Sequence, residues 1–423
     1  AEIEGLAQEL GQEIDDSTPV DAAFPDQDAS DALVSRLINS LLEEAIMAGA
    51  SDIHIEPDED VLRIRQRVDG LLRELPVGQK QVAAALVSRL KLSAGLNIAE
   101  RRLPQDGRFR VNVRGRTLDV RLSTMPTQFG ESVVMRLLDQ TQGLLDLERL
   151  GMPEGMLARV RAILRRPYGM LLVTGPTGSG KSTTLYASLN ALNSPDRKII
   201  TIEDPVEYRL PRINQVQIHP QIGLDFSRVL RTALRQDPDV ILVGEMRDRE
   251  TVEIGLRAAI TGHLVLSTLH TNDAPSTAVR LLDMGAPGFL IANALQAIIA
   301  QRLIRRLCER CARPQPPGER EAAWLSSFAG ETALAGQYKA ASGCNQCNQT
   351  GYAGRIGIYE LLEMDAALGD ALRTGDAQVF TAAVHASSHY RPLAHGALDQ
   401  ARRGLTSVAE VLRVIGSDYH DGG

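Results

Sequence analysis

Aromatic residues make up only 4% of this 423-residue chain, and there is a single Trp, so aliphatic side chains must fill the core. No apolar run approaches the roughly 20 residues that span a membrane. No basic-then-apolar segment at the start has the form of an export signal. Positive charge is not in excess either: the formal net charge is −7, which argues against a generally basic nucleic-acid-binding surface. Cysteine is scarce, with four residues in all. Without an export signal, a metal in a cytoplasmic setting is expected for them rather than disulfides. The chain begins at Ala1 rather than Met, which points to residues upstream. No internal repeat or low-complexity tract is evident. What is present, 43% hydrophobic and 23% charged residues, has the profile of a globular chain with about two to four domains.

Residues 1–30 are acidic, with Ser, Pro and Gln among them, and read as a linker holding a short helix near Ile3–Leu10. A helix is expected from Asp31, where Leu33, Leu37, Ile38, Leu41, Leu42, Ala45 and Ile46 recur at helical spacing before Gly49. "SDIHIEP" alternates like a strand. "VLRIRQRVDGLLREL" reads as a hairpin around Asp69-Gly70, and "GRFRVNVRGRTLDVRLST" as another near Gly115, with a helix between them. This unit, 31–140, is expected to be mixed α+β. A composition shift at 141–147 reads as a hinge linker. Beyond it the apolar runs "GMLLVTG", "KIITIED", "DVILVGE" and "HLVLSTL" each end in a polar turn, the pattern of a parallel α/β sheet.

The first of those runs opens "TGPTGSGKST", which satisfies G-x-x-x-x-G-K-[ST] between an apolar strand and the helical "TTLYASLNAL". Glycines let backbone N–H groups turn in on phosphate oxygens, and a helix N-terminus adds a favourable dipole. The candidate phosphate-binding residues are Gly175, Pro176, Thr177, Gly178, Ser179, Gly180, Lys181, Ser182 and Thr183. Lys181 is expected at the β- and γ-phosphates of ATP and Ser182 on Mg²⁺. Ligands of open α/β sheets gather at the carboxyl ends of the strands. Glu203 ends one run and Glu245 another. Glu245 is expected on the metal side, through Ser182 or a bound water, and Glu203 as the acid that orients the attacking water. His270, at the carboxyl end of "LVLSTL", is a candidate γ-phosphate sensor, whereas His263 lies at the opposite end.

Cys308-x-x-Cys311 and Cys344-x-x-Cys347 form two knuckles able to close a tetrahedral thiolate shell on Zn²⁺. All four positions are thiolates, so the site is expected to be structural. The loop between them holds Trp324, for which the sequence suggests no function.

"GPTGSGKSTT", "TIEDPVEY", "RQDPDVILVGEMRD" and "TGHLVLSTLHTNDA", with "ASDIHIEP", "RLPQDGR" and "GESVVMRLLD" upstream, resemble the Walker A, aspartate, Walker B and histidine boxes and the first domain of the secretion ATPases of type II secretion and type IV pilus assembly. The resemblance covers about residues 31–415. It implies an α/β fold: a RecA-like phosphate-loop NTPase domain over 148–423, preceded by a smaller PAS-like α+β domain. Within 148–423 it implies a zinc-binding tetracysteine subdomain at 305–355 and a C-terminal helical subdomain at 356–423. The four cysteines resemble those of pilus-extension and type II secretion members, which retraction members lack. The tail resembles the mannose-sensitive-haemagglutinin pilus type, whose N-terminal domain binds cyclic di-GMP. That domain is missing here, so cyclic di-GMP is expected to act only through it. The resemblance also implies a homo-hexamer, cytoplasmic and peripheral at the inner membrane of a bacterium, working on a platform protein with no direct nucleic acid. It further implies that Arg108 and Arg121, on the arginine face of the second hairpin, reach the nucleotide; surface charge is the plainer reading of that face. A nucleic-acid-translocating phosphate-loop ATPase is the alternative.

Overall fold

The computed structural model describes residues 2–16, 27–75, 78–139 and 146–416, and it divides into two compact units, Ala1–Gly143 and Leu144–Gly423. The first contains helices α1 (Glu2–Asp16) and α2 (Gln27–Ala48), strands β1 (Ala50–Pro57), β2 (Val61–Val68), β3 (Leu71–Glu74) and β4 (Gly78–Gln79), and helix α3 (Gln81–Ser93). Strands β5 (Gln105–Val113), β6 (Arg116–Thr127) and β7 (Gly130–Asp139) complete it. The antiparallel sheet runs β3-β2-β1-β7-β6-β5, with β4 on β2. Both expected hairpins form. Asp69 and Gly70 have φ of 50° and 86°, and Arg114 and Gly115 have 50° and 77°, the paired left-handed residues that match the twist of two-residue hairpins. Ile53, Ile55, Leu62, Ile64, Val120, Leu122, Val133 and Met135 share one core with the helices.

One expectation for this unit needs correcting. The short helix expected near Ile3–Leu10 forms, but it runs from Glu2 to Asp16 and packs rather than links: Ile3, Leu6, Ala7 and Leu10 are buried in the core with α2 and α3. The i, i+3, i+4, i+7 spacing of those residues makes an apolar stripe that overrides the acidic composition around it. Residues 17–26 of the expected linker, and 140–145, most of the expected hinge, lie outside the described residues, while residues 27–30 of that linker belong to α2.

The second unit runs α4 (Glu154–Leu164), β8 (Gly169–Thr174), α5 (Lys181–Leu192), β9 (Ile199–Glu203), β10 (Asn214–Gln217), α6 (Phe226–Ala233), β11 (Val240–Val243), α7 (Arg249–Ile260) and β12 (Leu264–Leu269). It continues through α8 (Ala274–Asp283), α9 (Gly288–Ala294), β13 (Leu295–Leu307), β14 (Arg313–Pro314), α10 (Glu319–Ala329), β15 (Lys339–Ala340) and β16 (Tyr352–Glu363). Helices α11 (Ala366–Arg373), α12 (Ala377–Ala386), α13 (Leu393–Arg402) and α14 (Val408–Ile415) close it. Its main sheet is ordered β10-β9-β11-β12-β8-β13-β16, parallel except for β16 on the edge. Every residue of β8, β9, β11 and β12 is buried, because the sheet carries a core on each face. The expected boundary at residue 356 falls inside β16, which pairs with β13 from Glu363 back to Tyr352. A long antiparallel pair therefore joins the cysteine region to the sheet, and the helical segment starts only at Ala366.

Candidate nucleotide site and cysteine cluster

The carboxyl edge of the parallel strands carries the predicted chemistry. After β8 the chain turns through Gly175, Gly178 and Gly180, with φ of 144°, 80° and 89°, conformations that glycine adopts without strain. Close approach adds a second demand: a Cβ at Gly175 would lie 2.4 Å from the Gln301 carbonyl oxygen, and one at Gly180 would lie 3.1 Å from Gln301 Nε2. Gln301, buried on β13, donates to the Ser179 carbonyl at 2.7 Å and accepts from Thr184 Oγ1 at 2.7 Å. It braces the loop from behind. Nothing in the sequence pointed to it, because it lies 122 residues from the Ser179 it supports.

Helix α5 starts immediately after Gly180, and Ser182 and Thr183 are exposed in its first turn. Lys181 is buried. Its ammonium donates to the carbonyls of Gly175 at 2.7 Å and Pro176 at 3.1 Å, and lies 3.5 Å from His270 Nδ1. Burial pulls its pKa down to about 8 against the opposing pull of Glu245. His270 Nε2 is 3.7 Å from Glu245 Oε2, and Glu245 Oε1 is 2.5 Å from Arg247 Nη2. Burial, then the Lys181 cation, lowers the pKa of His270. Lys181, Glu245 and His270 are thus brought together, and Arg247, which the sequence reading did not single out, joins them.

Glu203 is placed differently. It ends β9, the strand next to β11, yet its buried carboxylate accepts from the hydroxyls of Tyr186 and Thr201 and from Gln215 Nε2 at 3.3 Å. Those partners belong to β9, its neighbour β10 and the α5 layer, so Glu203 is not in the Lys181–Glu245–His270 cluster. His263 Nδ1 lies 3.0 Å from the Ala258 carbonyl at the far end of β12, a structural contact. In the first unit, Arg108 pairs in register with Arg121, Arg121 with Arg136, Arg136 with Asp52 and Asp52 with Arg67. One row across five strands therefore carries four arginines, with Arg136 Nε 3.0 Å from Asp52 Oδ1.

The loop suits a triphosphate with Mg²⁺. Its backbone is curled by glycines, the Ser179 hydroxyl is buried without a partner, and an exposed hydroxyl and a cation follow at the helix start. The cysteines meet a second test. Their sulfurs all lie within 4.8 Å of one another, with Cys308–Cys344 and Cys311–Cys347 at 3.8 Å and Cys344–Cys347 at 3.7 Å. Zinc–thiolate bonds of about 2.3 Å in a tetrahedron require sulfur separations of about 3.8 Å. The cluster can hold a metal ion.

A phosphate loop at the strand ends of a buried parallel sheet, with an acid and a histidine facing its lysine, defines a phosphate-loop nucleotide hydrolase. Comparison with known proteins narrows the class. The family described as "Type II/IV secretion system protein" matches residues 27–413. Type II secretion system protein E of Klebsiella pneumoniae is 48% identical over 419 residues, 98% of this chain and 83% of that protein. Type II secretion system ATPase E of Vibrio cholerae is 46% identical, over 98% of this chain and 82% of its own length. Among solved structures, the pilus retraction motor PilT with bound ADP matches with a TM-score of 0.58 at 28% identity, covering 89% of this chain and 96% of that one. The Legionella pneumophila ATPase DotB shares the fold, with a TM-score of 0.66 at 22% identity over 90% of this chain and 96% of its own. The chain belongs to the type II/IV secretion system protein family, and it is an ATP-hydrolysing secretion and pilus motor. Among the described residues no helix is long and apolar enough to cross a membrane.

Proposed function

We propose that the chain works as a cytoplasmic homo-hexamer at a bacterial inner-membrane platform protein, converting ATP hydrolysis into movement of a type II secretion machine. The observation that supports this reading is the meeting of Lys181, Glu245 and His270 around a complete phosphate loop in a chain 46–48% identical to type II secretion proteins. The relatives named above are type II secretion proteins. The pilus subtype drawn from the tail has no support among them.

In this reading Lys181 leaves the loop carbonyls for the β- and γ-phosphates, and Ser182 takes Mg²⁺. Glu245 faces the metal through Ser182 or a water, and its pairing with Arg247 keeps it aimed. Mg²⁺ supplies charge neutralisation between the phosphates. His270, already within reach of Lys181 and Glu245, reads the γ-phosphate. Glu203 orients the attacking water, for which its carboxylate must turn from the Tyr186 hydroxyl. Arg108 and Arg121 supply cations to the charge that develops in the transition state. The four cysteines hold a structural Zn²⁺. The decisive assay is ATP turnover with thermal melting of Lys181→Ala. Removing one preorganised cation should lower turnover by about 10²–10³-fold or more while the melting temperature stays near that of the parent. Near-normal turnover in that variant overturns the reading.

A further inference from the structure

Glu360 is a buried acid that the mechanism above does not use. It sits on β16 in one row with Ala300 of β13 and Thr174 of β8, so Thr174 and Glu360 are two strand spacings, about 10 Å, apart on one line across the sheet. The chain leaving β12 follows that line. Thr174 Oγ1 accepts from the N–H of Thr271 at 3.0 Å, shares a hydrogen with the Thr271 hydroxyl at 2.6 Å and donates to the Leu269 carbonyl at 3.1 Å. Three residues on, the N–H of Ala274 donates to Glu360 Oε1 at 2.8 Å. There α8 begins, with Asp273 as its cap, and it packs on β13 and β16. The segment 271–274 is therefore pinned at one end by Thr174 and at the other by Glu360, and His270 is the residue immediately before it.

Glu360 holds a second helix as well. Its Oε2 accepts from the N–H of Leu393, the first residue of α13, at 2.8 Å, and Oε1 also accepts from the Tyr390 hydroxyl at 2.9 Å. Each oxygen thus meets a main-chain N–H, and the two N–H groups start two different helices. This explains the residue type. An amide has one acceptor oxygen, so it would leave an NH₂ facing an N–H on one side. An ionised carboxylate with donors at two helix starts is also favoured by both dipoles. The cost of burying it is visible: burial, against the donors from Ala274, Tyr390 and Leu393 and with help from Asp273, pushes its pKa up to about 7.

We propose that Glu360 is a positioning residue for His270: one buried carboxylate grips the starts of α8 and α13 and so ties the setting of the imidazole to the C-terminal helices. The proposal rests on His270 reading the γ-phosphate. A shift in the first turn of α13 is passed through Glu360 to the crossing segment and on to the imidazole, 3.5 Å from the Lys181 ammonium. Conversely, the nucleotide state sensed at His270 reaches the C-terminal layer by the same two hydrogen bonds.

The test compares Glu360→Gln, Tyr390→Phe, His270→Ala and the double variants with His270→Ala in the full chain. Zinc content and melting temperature are measured beside turnover. Glu360→Gln should lower kcat by about ten- to a hundredfold, as small misplacements of a reacting group do, with the KM for ATP within about twofold. Tyr390→Phe should act in the same direction but less. In the His270→Ala background neither should lower kcat further, because both act through that side chain. In nucleotide-free protein, the His270 imidazole resonances, assigned by their loss in His270→Ala, should move in Tyr390→Phe. If His270→Ala turns over at the parent rate, the reading of His270 fails. If His270→Ala is impaired and the Glu360→Gln and Tyr390→Phe losses multiply on top of it, or both variants leave kcat and the imidazole resonances unchanged, the positioning role is overturned. Should Glu360→Gln fail to fold, Tyr390→Phe decides alone by the same criteria.

Discussion

Glu203 and Glu245 are the same side chain at the ends of neighbouring strands, and their surroundings separate them. Glu203 is enclosed by Tyr186, Thr201 and Gln215, whereas Glu245 faces Arg247, His270 and Lys181. If Glu203 orients the water, Glu203→Gln should lower turnover by about 10²-fold or more while ATP still binds and stays trapped. Glu245→Gln should instead raise the Mg²⁺ concentration needed for half-maximal turnover. Equal Mg²⁺ requirements in the two variants would remove the division of labour. Lys181 adds a pH dependence whose sign follows from burial. Its folded-state pKa is about 8 against an ordinary 10.5, so between those values the folded protein binds fewer protons than the unfolded chain. The nucleotide-free protein should gain stability as pH rises through that window, since the cost of a buried ammonium disappears. Triphosphate affinity should run the other way, weakening by up to about tenfold per pH unit above about 8, because binding then requires proton uptake. Titration of a non-hydrolysable ATP analogue across that range checks it, and a flat affinity would count against Lys181 as the phosphate cation. At this scale the sequence disclosed the residues whose local chemistry is self-contained. The loop glycines, Lys181 and the strand-end acids belong to short patterns. Gln301, Tyr186 and Gln215 do not, since each reaches the site from 12 to 122 residues away in the chain.

The elements were legible where a local signal and the tertiary environment agreed. Asp69-Gly70 and the turn at Gly115 formed hairpins because the required left-handed backbone is a property of those few residues. The four apolar runs became parallel strands because a strand buried on both faces needs an unbroken apolar sequence. Helix α1 was underestimated because its acidic outer face dominates the composition, whereas its four buried residues follow from the partners they meet. The extent of β16 was missed because its pairing with β13 closes over more than 40 intervening residues, beyond the reach of a local pattern. That pairing bears on the cysteine cluster. Strands β13 and β16 run outward together, and Cys308 follows β13 while Cys347 precedes β16, so a metal would close the end of the pair. One Zn²⁺ per chain is expected. Cys344→Ser should lose it and open the segment between the two strands to protease, with the parallel sheet still folded. Trp324, on α10 in that segment and stacked on Phe328 at 5.1 Å, provides a second readout: its fluorescence should change on chelation. Metal analysis well below one zinc per chain with four titratable thiols would refute the site.

For the whole molecule, the question is how hydrolysis in one unit becomes work. A phosphate loop alone leaves the charge developing on the γ-phosphate without a mobile cationic partner, and an inserted arginine in related phosphate-loop enzymes raises turnover by about 10³–10⁵. In the function proposed above, the first unit is the source of such a cation. Arg67, Arg136, Arg121 and Arg108 stand in one cross-strand row with Asp52, and the opposite face of that sheet is apolar and buried. A row of like charges is costly to hold together, and Asp52, buried between Arg136 and Arg67, relieves its near end. Arg121 and Arg108 stand at the other end of the row. If these two arginines supply the missing cation, the double variant Arg108→Ala/Arg121→Ala should lose about 10³-fold in turnover at matched oligomeric state, with nucleotide affinity reduced far less. Arg136→Ala should cost less, because its guanidinium is already committed to Asp52. Mixing then tests the proposed ring. Copies inactivated by Lys181→Ala still carry intact arginines, and copies inactivated by Arg108→Ala/Arg121→Ala still carry intact phosphate loops. If the arginines act across subunits, mixed assemblies should regain turnover that neither parent has. If they act within one chain, mixing should restore nothing. Parent-level turnover in the unmixed double variant would show that the row is surface charge and that the transition state draws its cation from elsewhere.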